Sequence, residues 1–176
     1  MRYLVISSSL APSSRSRILA RRAYAILQAG GHPSQWLDAT DLQLPLCDGD
    51  SAWGHESAQQ LKKAVTDADA IIMAMGVYNY GPSAVAKTLV ELGGGAWQQK
   101  VVGLACAAGG ARSYMAVMGL ANSLMLDFRC IIVPRFAFAT SGAFEGEDLV
   151  DADVSVRINE LVSEVVRVTE ALGARR

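Results

Sequence analysis

Charge is scarce in this chain, and so are the residues that hold metals or form disulfides. Sixteen Lys plus Arg against seventeen Asp plus Glu make up 19% of the 176 residues and leave a net charge of −1. That is below the roughly 25% charged usual in soluble domains. No stretch concentrates the basic residues as a polyanion binder requires, which argues against a nucleic-acid partner. The three cysteines, Cys47, Cys106 and Cys130, are far apart and lack C-x-x-C spacing, so neither a disulfide framework nor a zinc knuckle is indicated. Two histidines, His32 and His55, complete a poor metal inventory, and no metal site is expected. Glycine is missing from Met1 to Ala29, which excludes a G-x-G-x-x-G or Walker A loop there. Apolar runs are broken well before the roughly 18 residues of a membrane span. The opening MRYLVISSSLAPSS has too short an apolar run, and no small-residue cleavage site, for a signal peptide. A cytoplasmic protein with no membrane partner is the expectation.

What the chain has in quantity is apolar sequence, 51% by composition. A chain of this length buries an ample core in one domain, here residues 1–176. High apolar content with little charge also points to surface covered by another copy, so a homodimer or homotetramer is expected.

Strand and helix patterns alternate. Arg2 to Ser7 reads as a strand and Arg15 to Leu27 as a helix, then Gln35 to Asp38 as a weak strand and Glu56 to Asp67 as a helix. Ala70 to Met75 and Val101 to Ala107 are continuous apolar runs, as in strands buried on both faces of a parallel sheet. Ser83 to Leu92 and Ser113 to Phe128 read as helices, Arg129 to Val133 as a fifth strand, and Ala139 to Asp151 as a loop. Asp151 to Leu172 carries a clean amphipathic stripe. Five β–α units in alternation mean an α/β, doubly wound, five-stranded parallel sheet. Ligands of such sheets sit outside the carboxyl ends of the strands, where the strand order reverses.

Three loops at those ends are unusual. In SSSLAPSSRSR, Ser7 to Arg17, the hydroxyls of Ser9, Ser14 and Ser16, with Arg15 or Arg17 nearby, could hold one phosphate at a helix N-terminus. Helix capping by Ser13 or Ser14 is an equally ordinary use of them. In GVYNYGPSAVAK, Gly76 to Lys87, the residues Tyr78, Asn79 and Tyr80 offer a resting place for a planar ligand. In AAGGARS, Ala107 to Ser113, adjacent glycines let backbone approach a flat ring. Cys106 reads better as a small buried hydrophobe than as a redox thiol. Tyr114 lines a ring or simply packs, and His55 reads as a solvated loop residue. Arg112 and Arg135 read as surface arginines, with contact to a 2′-phosphate as the alternative. No nucleophile–base constellation is evident, so no catalytic side chain is assigned.

The serine-rich first loop followed by R-S-R-I-L-A, the segment V-Y-N-Y-G-P-S-A-V-A-K and the Gly-Gly after the fourth strand together resemble the NAD(P)H-dependent FMN reductase family, from Arg2 through about Leu172. The resemblance implies a flavodoxin-like fold with strand order 2-1-3-4-5, FMN as cofactor, and NADPH or NADH as electron donor. It also implies phosphate contacts from Ser9, Ser14, Arg15 and Ser16, and ring contacts from Val77, Tyr78, Asn79, Tyr80, Gly109 and Gly110. Hydride then passes to flavin N5, and the reduced flavin serves a partner monooxygenase or quinone, azo or metal acceptors. Against a first loop of the form G-S-L-R-x-x-S-x-N, the glycine is Ser8, the arginine Ala11 and the asparagine Ser16. Losing one cation beside a phosphate forfeits roughly 1.5–3 kcal/mol unless Arg15 or Arg17 replaces it. Val77 and Gly76 stand where the family has a polar residue and a proline. An FMN-binding electron carrier and an interaction protein without reductase activity are the other readings left open.

Overall fold

The computed structural model describes residues 1–173. Strand β1 (Tyr3–Ser7) leads to helix α1 (Arg15–Ala29), then β2 (Ser34–Asp38), α2 (Glu56–Asp67), β3 (Ala70–Tyr78) and the short β4 (Gly81–Pro82). Helix α3 (Ala84–Gly93), β5 (Val101–Ala107) and α4 (Val117–Phe128) follow. The chain continues through β6 (Ile131–Ile132), β7 (Ala137–Ala139), β8 (Phe144–Glu145), β9 (Asp148–Leu149) and α5 (Ala152–Gly173).

The main sheet has the order β2-β1-β3-β5-β6, with parallel pairing throughout. Counting only these strands, the order is the 2-1-3-4-5 expected of a flavodoxin-like sheet. The fifth line is broken, because β5 pairs first with β6 and then with β7. Pro134 lies between the two pieces, and a proline supplies no N–H to a ladder, so the interruption falls on the sheet's edge. Arg129 does not begin this strand, contrary to the sequence pattern. It sits at φ 55° and closes α4 as a left-handed cap whose N–H reaches Met125 O at 3.0 Å.

Side chains alternate along each strand and so divide between two cores. Leu4, Ile6, Met73, Met75, Val102 and Leu104 face α2, α3 and α4, while Val5, Ile72, Ala74 and Ala105 face α1 and α5. A fully buried Leu or Ile of this kind contributes about 1.5–3 kcal/mol. Helix α5 packs over β5 at Gly103, where an added Cβ would lie 2.7 Å from Val165 and 2.9 Å from Leu161. Only glycine permits that approach.

The stretch Ser113 to Phe128 is not one helix. A 3-10 segment, Ala111–Ala116, is kinked at Ser113 before α4 begins at Val117. The segment after β7, which reads as a loop in the sequence, contains the antiparallel β8–β9 hairpin turned at Gly146, φ 58°.

Candidate functional site

The strand order reverses at β1, which has β2 on one side and β3 on the other. The loop after β1 is fastened at its start by Ser8, whose N–H and hydroxyl both donate to Ala74 O, at 3.0 and 2.9 Å. Its shape is then set by Arg17. That guanidinium, 7% exposed, donates Nη1 to Ala11 O at 2.7 Å and Pro12 O at 3.0 Å, and Nη2 to Ser9 O at 2.9 Å. It also grips Asp38 at the end of β2, with Nε to Oδ2 at 2.6 Å and Nη2 to Oδ1 at 3.2 Å. In a trans peptide the N–H points opposite the preceding C=O. Holding the Ser9 and Pro12 carbonyls on Arg17 therefore turns the Leu10 and Ser13 amides away from it.

Burial alone would raise the Asp38 pKa. The hydrogen bond from Arg17, and those from the Thr40 N–H and hydroxyl, outweigh it and hold the carboxyl below its ordinary value. Arg17 is correspondingly held above its own ordinary value, chiefly by the Asp38 hydrogen bond. Arg17 is thus committed to the loop's own backbone, and Arg15 is the cation left at the helix start. Its guanidinium lies 6.0 Å above the Phe144 ring.

Ser14 caps α1, accepting from Arg17 N–H at 3.2 Å, and its Oγ lies 3.0 Å from Ser16 Oγ. Ser9 Oγ accepts from Ala11 N–H at 3.3 Å. Ser7 Oγ is buried with no hydrogen-bond partner among the described residues.

At the end of β3, Val77 pairs with Pro82 and Tyr78 with Gly81. Asn79 (φ 50°) and Tyr80 (φ 61°) make the two-residue tip. Positive φ at both central positions is the type I′ turn. Asparagine suits it, but a tyrosine there costs about 1–2 kcal/mol. Such strain collects at functional sites. Tyr78 and Tyr80 stand 62% and 67% exposed. The Tyr78 ring folds back over Gly76, where an added Cβ would meet Cε2 at 3.0 Å and Oη at 3.2 Å. Glycine rather than proline at this position is what allows the fold-back.

After β5, Ala108 N–H donates to Ala139 O at 2.9 Å, and Ser141 Oγ donates to Gly109 O at 3.0 Å. Gly109 and Gly110 have nothing within 4 Å of an added Cβ and no positive φ. They leave open space that the chain itself does not need. Tyr114 packs edge-to-face on Phe138 at 5.3 Å. His55 caps α2, its Nδ1 accepting from Ser57 N–H at 3.3 Å, and Arg135 pairs with Glu160 at 3.3 Å. Burial pushes the Cys106 thiol up to about 12 and the Cys130 thiol up to about 11, so both stay protonated at neutral pH.

A cavity of about 420 Å³ opens at this end of the sheet. Ser9, Ser14, Arg15, Ser16 and Tyr78 line it, together with Gly76 and Ala107 at the strand ends. Val77, Asn79, Tyr80, Gly109 and Gly110 lie at the same strand ends but are not among its walls. Sequence reasoning missed Arg21, further along α1, and Phe144, Gly146 and Glu147 of the β8–β9 hairpin, which also line it. The signal was present, since Gly146-Glu147 between Phe144 and Leu149 has the form of a two-residue hairpin turn. A second cavity, about 490 Å³, lies near Trp53, Lys87 and Gly93–Gly95. It lacks the β1 and β3 loops that the reversal of strand order singles out.

Residues 1–145 match the model of the NADPH-dependent FMN reductase family. The chain belongs to this family. FMN is accordingly its flavin, and reduced nicotinamide dinucleotide its electron donor. Solved structures share its fold at low identity. An oxidoreductase from Corynebacterium diphtheriae is 20% identical with a TM-score of 0.77, the match covering 97% of this chain and 98% of that one. An NADH:FMN oxidoreductase is 18% identical with a TM-score of 0.77, covering 93% and 87%. The flavoenzyme NAD(P)H:(acceptor) oxidoreductase of Paracoccus denitrificans is 18% identical with a TM-score of 0.72, covering 94% and 97%. The residues fit the family's flavin, with serine hydroxyls and the exposed Arg15 cation in the cavity wall at the start of α1 and open space beside the Gly109–Gly110 backbone. Among the described residues no helix is long and apolar enough to cross a membrane, and no cluster of metal-ligating side chains is present.

Proposed function

We propose that this FMN reductase seats its flavin across the carboxyl ends of β1, β3 and β5, with the phosphate in the β1–α1 loop. The observation that carries the reading is that loop, whose carbonyls are gathered onto Arg17 so that amides are free for an anion. Ser9, Ser14 and Ser16 supply hydroxyls, and the α1 dipole with Arg15 supplies positive charge. Val77, Tyr78, Asn79 and Tyr80 border one side of the ring, and Gly109 and Gly110 border the other by backbone approach. When bound, FMN supplies a hydride acceptor at N5 for the reduced nicotinamide ring, and no protein acid or base is required for that transfer. The chain's part is to orient the two rings and exclude water. Reduced flavin, or its electrons, then reaches a partner monooxygenase or a quinone, azo or metal acceptor. The three unpaired cysteines suit a reducing cytoplasm.

An absorbance spectrum tests this directly. Added FMN is expected to bind, and its visible bands to bleach on anaerobic addition of NADPH or NADH. Binding without bleaching would favour the electron-carrier reading, and no binding would favour an interaction protein that keeps only the fold.

Helix α4 exposes Met118, Met125 and Leu126, and Met115 precedes it 65% exposed. We assign this face to the contact between copies in a homodimer or homotetramer. Light scattering at micromolar concentration is expected to give at least twice the 18.7 kDa chain mass. A monomeric mass would refute the assignment.

A further inference from the structure

Arg15 opens α1 with its side chain exposed and makes no ion pair among the described residues. What its guanidinium does have is the Phe144 ring, whose centroid lies 6.0 Å from Cζ. Both side chains line the cavity at the β1–α1 loop. An aromatic face attracts a guanidinium within about 6 Å of the ring centroid. The contrast with Arg17 is one of donors. Carboxylate and carbonyl oxygens consume the Arg17 N–H groups, whereas a ring face engages the cation's charge and leaves its N–H groups for an anion.

Phe144 is itself fixed. It is 9% exposed and packs in the core on the α1 and α5 side of the sheet. It begins the β8–β9 hairpin opposite Leu149, and the carbonyl of Ala143 just before it accepts from Val150 N–H at 3.0 Å and Asp151 N–H at 3.3 Å. Asp151 in turn anchors the start of α5, its Oδ1 accepting from the Asp153 and Val154 N–H groups at 2.9 and 3.0 Å. The ring therefore stands on rigid backbone while Arg15 reaches out on a flexible stem. Such an arginine loses rotamer freedom when it meets a phosphate, and holding it beforehand reduces that loss. Glu147, at the hairpin tip, lines the same cavity and forms no ion pair with Arg15.

We propose that Phe144 is a positioning residue for the flavin phosphate: its ring holds the Arg15 guanidinium in the cavity with the N–H donors unspent. The proposal rests on placing that phosphate in the β1–α1 loop.

Fluorescence titration of FMN against the wild-type protein, Phe144→Leu, Arg15→Gln and the double variant tests it. Phe144→Leu is expected to weaken FMN about three- to fivefold, as an exposed cation–π contact does. Once Arg15→Gln is in place, the same change should cost less than about 1.5-fold, because the two side chains act as one. Phe144→Tyr keeps the aromatic face and recovers most of the loss. A trifluorinated phenylalanine at position 144 keeps the ring's shape but drains its face of negative charge, and is expected to weaken FMN about as much as Phe144→Leu. That ring also decides the matter if Phe144→Leu fails to fold. An equal loss from Phe144→Leu in both backgrounds, or wild-type affinity with the fluorinated ring, would overturn the role of Phe144 and leave the phosphate site standing. Wild-type FMN affinity in Arg15→Gln would remove Arg15 from the phosphate site, and the proposal with it.

Discussion

Arg17→Met is expected to lower the thermal unfolding midpoint by about 10 °C and to weaken FMN binding at least tenfold. Removing one partner of a buried ion pair costs about 3–5 kcal/mol, because the other charge is left buried and unmatched. In a chain of this size each kcal/mol moves the midpoint roughly 2–4 °C. Here the stranded groups are the Asp38 carboxylate and the carbonyls of Ser9, Ala11 and Pro12. The affinity loss arises through the loop, since those carbonyls no longer fix where the Leu10 and Ser13 amides point. Arg15→Gln is the contrasting variant. Arg15 is exposed, so its loss is expected to weaken FMN about tenfold with the midpoint unchanged. Differential scanning fluorimetry and flavin titration on the two variants separate the roles. A midpoint within 2 °C of wild type for Arg17→Met would remove the loop-clamp argument.

The same pair fixes a pH dependence. The folded-state pKa of Asp38 lies below its unfolded value of about 4. Its contribution to stability is therefore fully present above about pH 4 and is lost as the pH falls through the folded value. In Arg17→Met, burial acts on the carboxyl without its principal partner, the folded pKa rises, and acid unfolding is expected to begin at higher pH.

Much of the fold is readable from residues because burial on both faces leaves a plain mark. Ala70 to Met75 and Val101 to Ala107 are continuous apolar runs, and α5 carries its stripe in register. The alternation of elements gave the doubly wound parallel sheet, and the family resemblance its central strand order. What sequence could not show was which polar group meets which across long separations. Arg17 and Asp38 are 21 residues apart, and nothing local marks one as the other's partner. Arg15 and Arg17 therefore looked equivalent as phosphate ligands, and burial separates them. The serines show a similar limit. Ser14 is a genuine helix cap and also a cavity wall, so capping and ligand contact were never exclusive readings. At the tip of the β3–β4 turn, Asn79 fits a left-handed position by propensity, whereas Tyr80 does so against propensity, and no single-residue preference foretells that.

The largest effect on flavin binding is expected at Gly109, where a side chain costs the fold almost nothing. An added Cβ there has no neighbour within 4 Å, and the backbone is not at positive φ. Gly109→Val should therefore unfold within a few degrees of wild type. The open space is where backbone approaches the ring in the proposed flavin site, so two extra methyl groups on the Cβ should reduce FMN affinity a hundredfold or more. Asn79→Ala should show the reverse balance. The alanine must adopt φ 50°, which costs the fold about 1 kcal/mol, while the backbone at the turn tip stays in place and FMN affinity falls less than tenfold. One variant thus removes binding while sparing stability, and the other takes a little of each. That split follows only if the ring is bordered by bare backbone after β5. Wild-type FMN affinity in Gly109→Val would mean that the ring does not reach this loop.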